Sequence, residues 1–567
     1  MQTTAENSQK LTEFEKRFGA LKTEHQVWVP AYKDLSTYIN PTRGIFNNDR
    51  TRVGKMIDHQ TLLSGHATHA LRIFASGMNS GMTNKSSTWF RVTFDDINVL
   101  EEEGVKEWLE IVQNKMYGAI NKSNLHDVFY SAYEELGQFG TACFLILEDF
   151  EMIIRARSFT AGEYFLGIGP NGKPNAFARE FEMTVGQLIS EFGEENCSDN
   201  VVGQFKQNQV DVKIKVRHLI EENKTRDPMM SDFKNMPYRS VYWEAGNVSG
   251  KFLATRGFKS FRVVAPRWDT ITTEMVYGYG PGWHAIGAIK EMQKTRQDKL
   301  IAQEKTHNPP MIQDSTVDGH ANLLPGGVTT TSSSLPNSGV RPAYQINPAL
   351  ESFVQLLEEE KEEINQFFFV NLFLMLMNVD KTQMTATEVA ERQQEKLMMM
   401  GPALHRLDEE MLTKSLELVY ETLIDNGMIP EPPDAIQGLD MKIEFTSILA
   451  QAQKALGITK IERVLNMFTN PQVLQAFPTA IDNFDIDEIV RQVNDMEGAS
   501  TKILLTREVV AQLREDRQIK QNQAIAMQAA SMGADAANKL GNTPMGTDSA
   551  LDRMAPALPA LAGAGGG

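Results

Sequence analysis

Apolar residues recur at helical spacing near the start of the chain. Leu11, Phe14, Phe18, Leu21 and Val27 predict a helix over 8–40, broken at Pro30 and ended by Asn40-Pro41. A loop rich in arginine and lysine follows, with Arg43, Arg50, Arg52 and Lys55. Leu62, Leu63, Ala67, Ala70, Leu71 and Phe74 then mark the inward face of a helix that Asp58 would cap and that would end near Ser76. Two more helices are predicted over 104–122 and 124–138.

The period then shortens. Segments 141–149, 151–158, 163–168 and 175–184 are rich in β-branched and aromatic residues and separated by turns, with Pro170-Asn171-Gly172-Lys173 as a hairpin signal. Further strands are predicted over 211–221, 238–246 and 260–267. Helices followed by a run of strands point to an α+β fold rather than a wound α/β domain.

The helical period returns at 284–306, where Ile286, Ile289, Met292, Leu300 and Ile301 are the apolar positions and Asn308-Pro309-Pro310 the stop. Residues 307–347 contain LLPGGVTTTSSSLPNSGVRP, mostly Gly, Pro, Ser and Thr, and a helix resumes over 349–376. A loop-rich insert is thus bracketed by two helices of about 24 residues, each about 36 Å long. Thr385-Ala386-Thr387-Glu388 fits a capping box opening a helix that would run to about Asn426, kinked at Gly401-Pro402. A strand over 441–448 and helices over 451–468, 485–497 and 506–532 follow. From Gly533 the chain is Ala, Gly, Pro and polar residues without apolar period, which predicts a disordered tail over 533–567.

The 567 residues carry 41% hydrophobic residues, enough for a sizeable core. Two cysteines exclude a disulfide scaffold and suit a reducing compartment. Met1–Lys10 is polar, unlike a secretory signal, and Phe367–Met377 (FFFVNLFLMLM) is shorter than the ~20 apolar residues of a membrane span. These features predict a soluble protein made inside the cell. The formal charge of −17 argues against tight, general nucleic-acid binding.

Charge also separates the two long helices. The first carries Lys290, Lys294, Arg296, Lys299 and Lys305, and the second Glu351, Glu358, Glu359, Glu360, Glu362 and Glu363 against Lys361 alone. Two solvated faces would read this way, and so would opposite charges packed face to face, within or between subunits.

Catalytic patterns are weak. GIGPNGKP at 167–174 matches a phosphate loop in outline, but Pro174 stands where Ser or Thr would hold magnesium, and a strand pattern follows where a helix is needed. A hairpin turn fits better. His66 and His69 stand three apart with no cysteine or H-E-x-x-H to complete a metal site. Cys143 lies in an apolar strand pattern and Cys197 in a polar stretch. No G-x-S-x-G occurs. Neither an enzyme, a metal nor a cofactor is predicted. YGYGPGW at 277–283 reads as a tight turn leading into the long helix.

Six segments together resemble the head-to-tail connecting (portal) proteins of short-tailed, double-stranded DNA phages: YINPTRGIF (38–46), LRIFASGMNSGMTNKSSTWFRV (71–92), YGYGPGWHAI (277–286), NPPMI (308–312), LLPGGV (323–328) and MTATEVAERQQEKL (384–397). The resemblance implies a ring of twelve subunits at one capsid vertex of the virion, assembled in the host cytoplasm. The ring would nucleate the shell with major capsid and scaffold proteins, dock terminase, conduct double-stranded DNA, and attach tail adaptors and other tail proteins. No membrane partner is implied. It further implies an α+β wing (1–280, re-entered at 385–450), stem helices (281–306 and 348–376) around a clip (307–347), a tunnel loop (377–384) and a helical crown (451–532). Asn378, Asp380, Lys381 and Gln383 would then face DNA. Lys290, Lys294, Arg296, Lys299, Glu358, Glu359, Glu362 and Glu363 would join subunits along the stem, and Asn322, Leu323, Leu324 and Arg341 would meet partners at the clip. A packaging ATPase or nuclease, or a different capsid or tail-adaptor protein, are the other classes open at this stage. The first would need an intact phosphate loop and an acidic metal cluster.

Overall fold

A computed structural model describes residues 2–46, 62–377, 399–446 and 507–541, with 487, 489 and 490, apart from 95, 97, 98, 101, 103, 231, 248, 249, 440 and most of 314–349. The chain divides into two units, Met1–Asn483 and Phe484–Gly567.

The first unit opens with α1 (Gln2–Gln26) and α2 (Val29–Tyr38). The predicted single helix is therefore interrupted at Val27-Trp28, two residues ahead of Pro30. Proline sits in the first turn of α2, where its missing N–H costs nothing. Val27 faces solvent at 79% exposure, contrary to its predicted inward position, because it falls in this break. Helix α3 (His66–Met82) starts later and ends later than expected. Leu62 and Leu63 precede it as half-buried, non-helical residues, and Asp58 lies outside the described residues.

Strand β1 (Phe90–Thr93), α4 (Val105–Lys122) and α5 (Leu125–Phe139) follow. Then come β2 (Cys143–Asp149), β3 (Ile153–Phe159), β4 (Tyr164–Ile168) and β5 (Pro174–Thr184). Two short helices come next, α6 (Val185–Phe192) and α7 (Asp199–Lys206), neither evident from periodicity. Thr184 and Gln187 form a reciprocal capping box at the start of α6, a T-x-x-Q signal present in the sequence. Strands β6 (Lys213–Glu222), β7 (Tyr238–Glu244), β8 (Ala254–Phe258) and β9 (Val263–Val264) complete the antiparallel sheets, ordered β4-β5-β6-β7-β8 and β3-β2-β9. Only two residues of the predicted 260–267 strand pair as a strand, and β1 and β8 were not expected.

The remaining elements are α8 (Pro281–His307), β10 (Met311–Gln313), β11 (Val340–Pro342), α9 (Leu350–Phe367) and α10 (Val370–Met377). Residues 399–407 are helical and lead through a π-helical turn, Asp408–Thr413, into α11 (Lys414–Asp425). Gly401-Pro402 lies inside this helical run, and Thr385–Glu388 lies outside the described residues. Strand β12 (Lys442–Phe445) pairs antiparallel with β1, Phe90 opposite Phe445, so the chain returns to an element laid down about 350 residues earlier.

Packing explains the layout. Helix α1 has one apolar stripe, Leu11, Phe14, Phe18 and Leu21, which covers Phe165, Ala178, Leu219 and Trp243 on the five-stranded sheet. The main core sits between α3, α5, α10, α11 and the three-stranded sheet. Gly77 on α3 admits Phe373 of α10 so closely that an added Cβ would lie 2.2 Å from its ring.

In the second unit, α12 (Arg507–Gly541) extends nine residues past the predicted 506–532 helix, into the stretch expected to be disordered. Residues 533–541 (GADAANKLG) include three alanines, the strongest helix former. The predicted helix 451–468, most of 485–497 and the tail from 542 onward lie outside the described residues. Within this unit Arg514 forms a two-pronged pair with Asp487, both contacts at 2.6 Å.

Candidate functional site

The feature that positions the long helix pair is the turn YGYGPGW. Tyr279 exchanges backbone hydrogen bonds with Asp269, at 2.8 and 3.1 Å, and the Gly278 N–H donates to Thr141 Oγ1 at 2.7 Å. The glycines are required by contact with backbone. A Cβ on Gly280 would lie 2.2 Å from the Leu136 carbonyl oxygen. Gly140, at φ +81°, caps α5 and leaves no room for a Cβ beside Tyr279. Trp283 Nε1 donates to the Phe139 carbonyl at 2.8 Å, Trp28, Tyr32 and Tyr279 meet its ring edge-on, and Tyr277 packs tilted against Trp28. Helix α8 therefore leaves the core from a fixed point. Its 27 residues make it about 40 Å long.

Next to that turn lies a buried ionic network. Arg43 donates to Glu134, to Glu135 at 2.8 Å and to Ser131 at 3.2 Å. Glu135 also accepts from Thr160 Oγ1 and from the Ala161 N–H. Burial raises the Glu135 carboxyl above its usual range despite Arg43. Arg267 similarly clamps Glu410 at 2.5 Å while donating to the Met275 and Gly172 carbonyls. No sequence signal marked these pairs, because arginines and carboxylates are common everywhere and only the fold brings Arg43 within reach of Glu135, 92 positions on.

The inner half of α8 is buried through Ala285, Ala288, Ile289 and Met292, whereas Leu300 and Ile301 are exposed. Gln293 acts as a clamp: its Oε1 accepts from the Leu63 and Ser64 N–H groups, and its Nε2 donates to the Ser64 carbonyl, all at 2.8 Å. Helix α9 packs on α8 along Leu357, Glu360 and Ile364. The polar link between them is Thr295 Oγ1 donating to Glu360 at 2.8 Å, and burial raises that carboxyl's pKa.

Among the described residues no ion pair joins α8 to α9; the pairs that form reach α2 or stay within one helix. Lys290 pairs with Asp34 on α2, Lys294 with Asp298 one turn on, and Lys361 with Glu358. Glu362 accepts from Asn371 at 3.0 Å, and Glu359 from Gln355 at 3.5 Å. Arg296 and Glu363 are exposed and Lys299 is half-buried. The apolar seam needs Leu357 and Ile364 inward, which takes Glu360 in with them and turns Glu358, Glu359, Glu362 and Glu363 outward.

The predicted single helix 349–376 is two helices. Phe368 and Phe369 break it, and Phe369 adopts φ +54°, a left-handed conformation rare for an aromatic residue. Three consecutive phenylalanines cannot all face one side of a helix. The break puts Phe368, Leu372 and Phe373 into the core with Phe74. The greasy run is thus core, and no described helix is long and apolar enough to cross a membrane.

The hairpin β10–β11 ties the ends of the insert together, with Arg341 opposite Ile312 and exposed. Asn322 is exposed, its N–H donating to Thr329 Oγ1 at 3.0 Å. Leu323 and Leu324 lie outside the described residues, as do Asn378, Asp380, Lys381 and Gln383.

The other chemical candidates have structural roles. GIGPNGKP is the β4–β5 hairpin turn, closed by Gly169 N–H to the Lys173 carbonyl at 2.9 Å, with Gly172 at φ +72°. A strand follows it, so no helix N-terminus faces a phosphate. His66 contacts Asn365 at 3.0 Å, and burial lowers its pKa. No group of three metal-ligating side chains occurs among the described residues. Cys143 and Cys197 are both buried, and burial raises both thiols, Cys197 to about 11. Cys197, from a polar stretch, sits in a small core with Val185, Leu188 and Val201.

Comparison with known proteins gives concordant relatives. The chain is 36% identical over 537 residues to the probable portal protein of Bordetella phage BPP-1, covering 94% of this chain and 96% of that one. It is 35% identical over 546 residues to the portal protein of Salmonella phage epsilon15, covering 95% and 97%. A family model described as bacteriophage head to tail connecting protein matches residues 11–504. The helix pair around an inserted hairpin, launched from a glycine-sealed α+β core, is thus the frame of a chain that belongs to the bacteriophage head to tail connecting protein family.

Proposed function

We propose that this chain is a portal subunit: copies assemble into a ring, twelve by family analogy, at one vertex of a phage capsid, the head-tail junction of the virion. The ring conducts double-stranded DNA during packaging and ejection. The observation that carries this reading is the near full-length identity to two phage portal proteins. In this reading terminase, major capsid and scaffold proteins, and tail adaptors are the ring's partners. Helices α8 and α9 with α10 are the stem, the insert 307–347 the clip, 377–384 the tunnel loop, 1–280 and 385–450 the wing, and 451–532 the crown. The hairpin joining the insert's two ends supports the stem and clip assignment.

Charge fits a conduit. Twelve copies of a chain at −17 carry −204. Basic walls would hold phosphates and retard sliding, whereas an acidic wall repels the duplex evenly and leaves little friction. Lys381 is the cation of the proposed tunnel loop. Negative-stain images of the purified full-length protein test the assembly: rings with a central hole are expected, and a monomer or rod overturns the reading. Lys381→Glu should leave ring yield intact and change the amount of DNA packaged or retained per head. Unaltered packaging and retention would remove Lys381 from the DNA path.

A further inference from the structure

A cleft of about 450 Å³ opens between the five-stranded sheet, the edge of β2 and β3, and α6. Three guanidinium groups line it: Arg157 from β3, Arg179 from β5 and Arg256 from β8. Arg179 forms the floor and is only 5% exposed, while Arg157 and Arg256 stand exposed at the rim. Two carboxylates share the cleft. Glu191 lies 3.7 Å from Arg256, and Glu182 lies 4.0 Å from Lys213 outside it. Arg157 and Arg179 have no carboxylate within ion-pair distance among the described residues. Glu163 acts on Arg179 only through space.

Arg179 is held in place by parts that supply no charge. Its guanidinium lies 4.1 Å from the Phe181 ring centre and 5.1 Å from that of Phe159. Its Nε donates to His218 Nδ1 at 3.2 Å, which makes Nδ1 the acceptor and puts the imidazole proton on Nε2, facing Ser240 Oγ at 2.9 Å. The His218 ring stacks on Tyr242 at 3.8 Å and 9°. Burial and the neighbouring Arg179, Arg256 and Arg157 keep His218 neutral, well below its usual pKa. Burial, followed by Arg157, pushes Arg179 down to about 10. A buried cation next to like charges is costly unless an anion completes it. The overall charge of −17 makes a cationic cleft unexpected as mere surface composition.

We propose that this cleft is an oxyanion-binding site, with Arg179 as the oriented fork at its floor and Arg157 and Arg256 closing on a phosphate or carboxylate group from the rim. A guanidinium presents parallel donors that match either anion, so the geometry accepts both. None of the residues lining the cleft belongs to α8, α9 or the insert.

The test is calorimetric titration of the purified full-length protein with sodium phosphate, and separately with sodium acetate, against sodium chloride at matched ionic strength. Saturable phosphate binding is expected, weakened at least tenfold in Arg157→Gln/Arg256→Gln. That variant changes exposed residues and should melt in chloride as the wild type does; single replacements serve if the pair does not. Competition by acetate would assign a carboxylate donor, such as a side chain of a neighbouring copy, and binding of phosphate alone a phosphate ligand. No saturable binding of either anion, or equal affinity in wild type and variant, overturns the site.

Discussion

The core around the YGYGPGW turn and the outer half of the α8–α9 pair handle polarity in opposite ways. In the core Arg43 pairs with Glu134 and Glu135 and Arg267 with Glu410, and the neutral amide of Gln293 binds the backbone at 63 and 64, all partners from distant sequence. On the outer half, among the described residues, Lys294 and Lys361 pair within their own helix, and Leu300, Ile301, Val354 and Leu356 remain exposed. The first region is complete within one chain. The second carries apolar surface and unmatched charge of the kind that neighbouring copies would cover.

The largest expected effect lies in the complete region. Arg43→Met strands the buried Glu135, and loss of one partner of such a pair costs about 3–5 kcal/mol. Chemical denaturation at pH 7 would measure it, and a loss below 1 kcal/mol would mean that the network is not closed as described. Gly280→Ala should follow at about 3 kcal/mol, since the obstructing Leu136 oxygen is backbone and cannot swing away. Gly287, on α8 with nothing within 4 Å of its Cβ position, is the contrast: its change to Ala should stabilise by up to about 1 kcal/mol.

Asp408 gives a pH test of the same core. It lies in the π-helical turn near Tyr133, and burial pushes its carboxyl up to about 7. A folded pKa above the unfolded value means that this group's stabilising contribution is complete below about pH 4 and lost as pH rises through 7. Asp408→Asn should therefore melt higher than wild type at pH 8, by an amount that shrinks to nothing near pH 4. A gap independent of pH would show that Asp408 titrates normally.

The smallest effect on the folded chain belongs to the outer region. Lys294→Glu/Lys299→Glu should shift stability of the single chain by no more than about 0.5 kcal/mol, because both sit at or near the surface. Ring yield should nevertheless fall, most at low salt, where charge between copies is least screened. Wild-type ring yield would show that the stem charges do not read a neighbouring copy.

Much of the fold was legible where one residue pattern served one packing demand. The stripe Leu11, Phe14, Phe18 and Leu21 required a helix against a surface, and the β-branched and aromatic runs at 175–184 and 211–221 predicted the strands that pair as β5 and β6. The turn at 170–173 was legible because Gly172 needs a positive φ. Other features resisted for physical reasons. The run Phe367–Met377 is apolar on every side, so periodicity could not reveal the break that Phe369 makes. Strand β8 carries exposed residues on an edge and has little pattern to show. The charged positions of α8 and α9 could be named from the sequence, yet which way those of α9 point was fixed by the Leu357–Ile364 seam.

The sequence by itself determined the α+β class, the helix pair around an insert, and the family, because local period and ordered motifs survive without knowledge of contacts. Only the tertiary structure decided that Arg43 meets Glu135, that Gly140 and Gly280 touch backbone to backbone, and that Arg157, Arg179 and Arg256 share one cleft. Those facts join residues tens to hundreds of positions apart. No window along the chain contains them, since they arise only when burial forces distant polar groups to find partners.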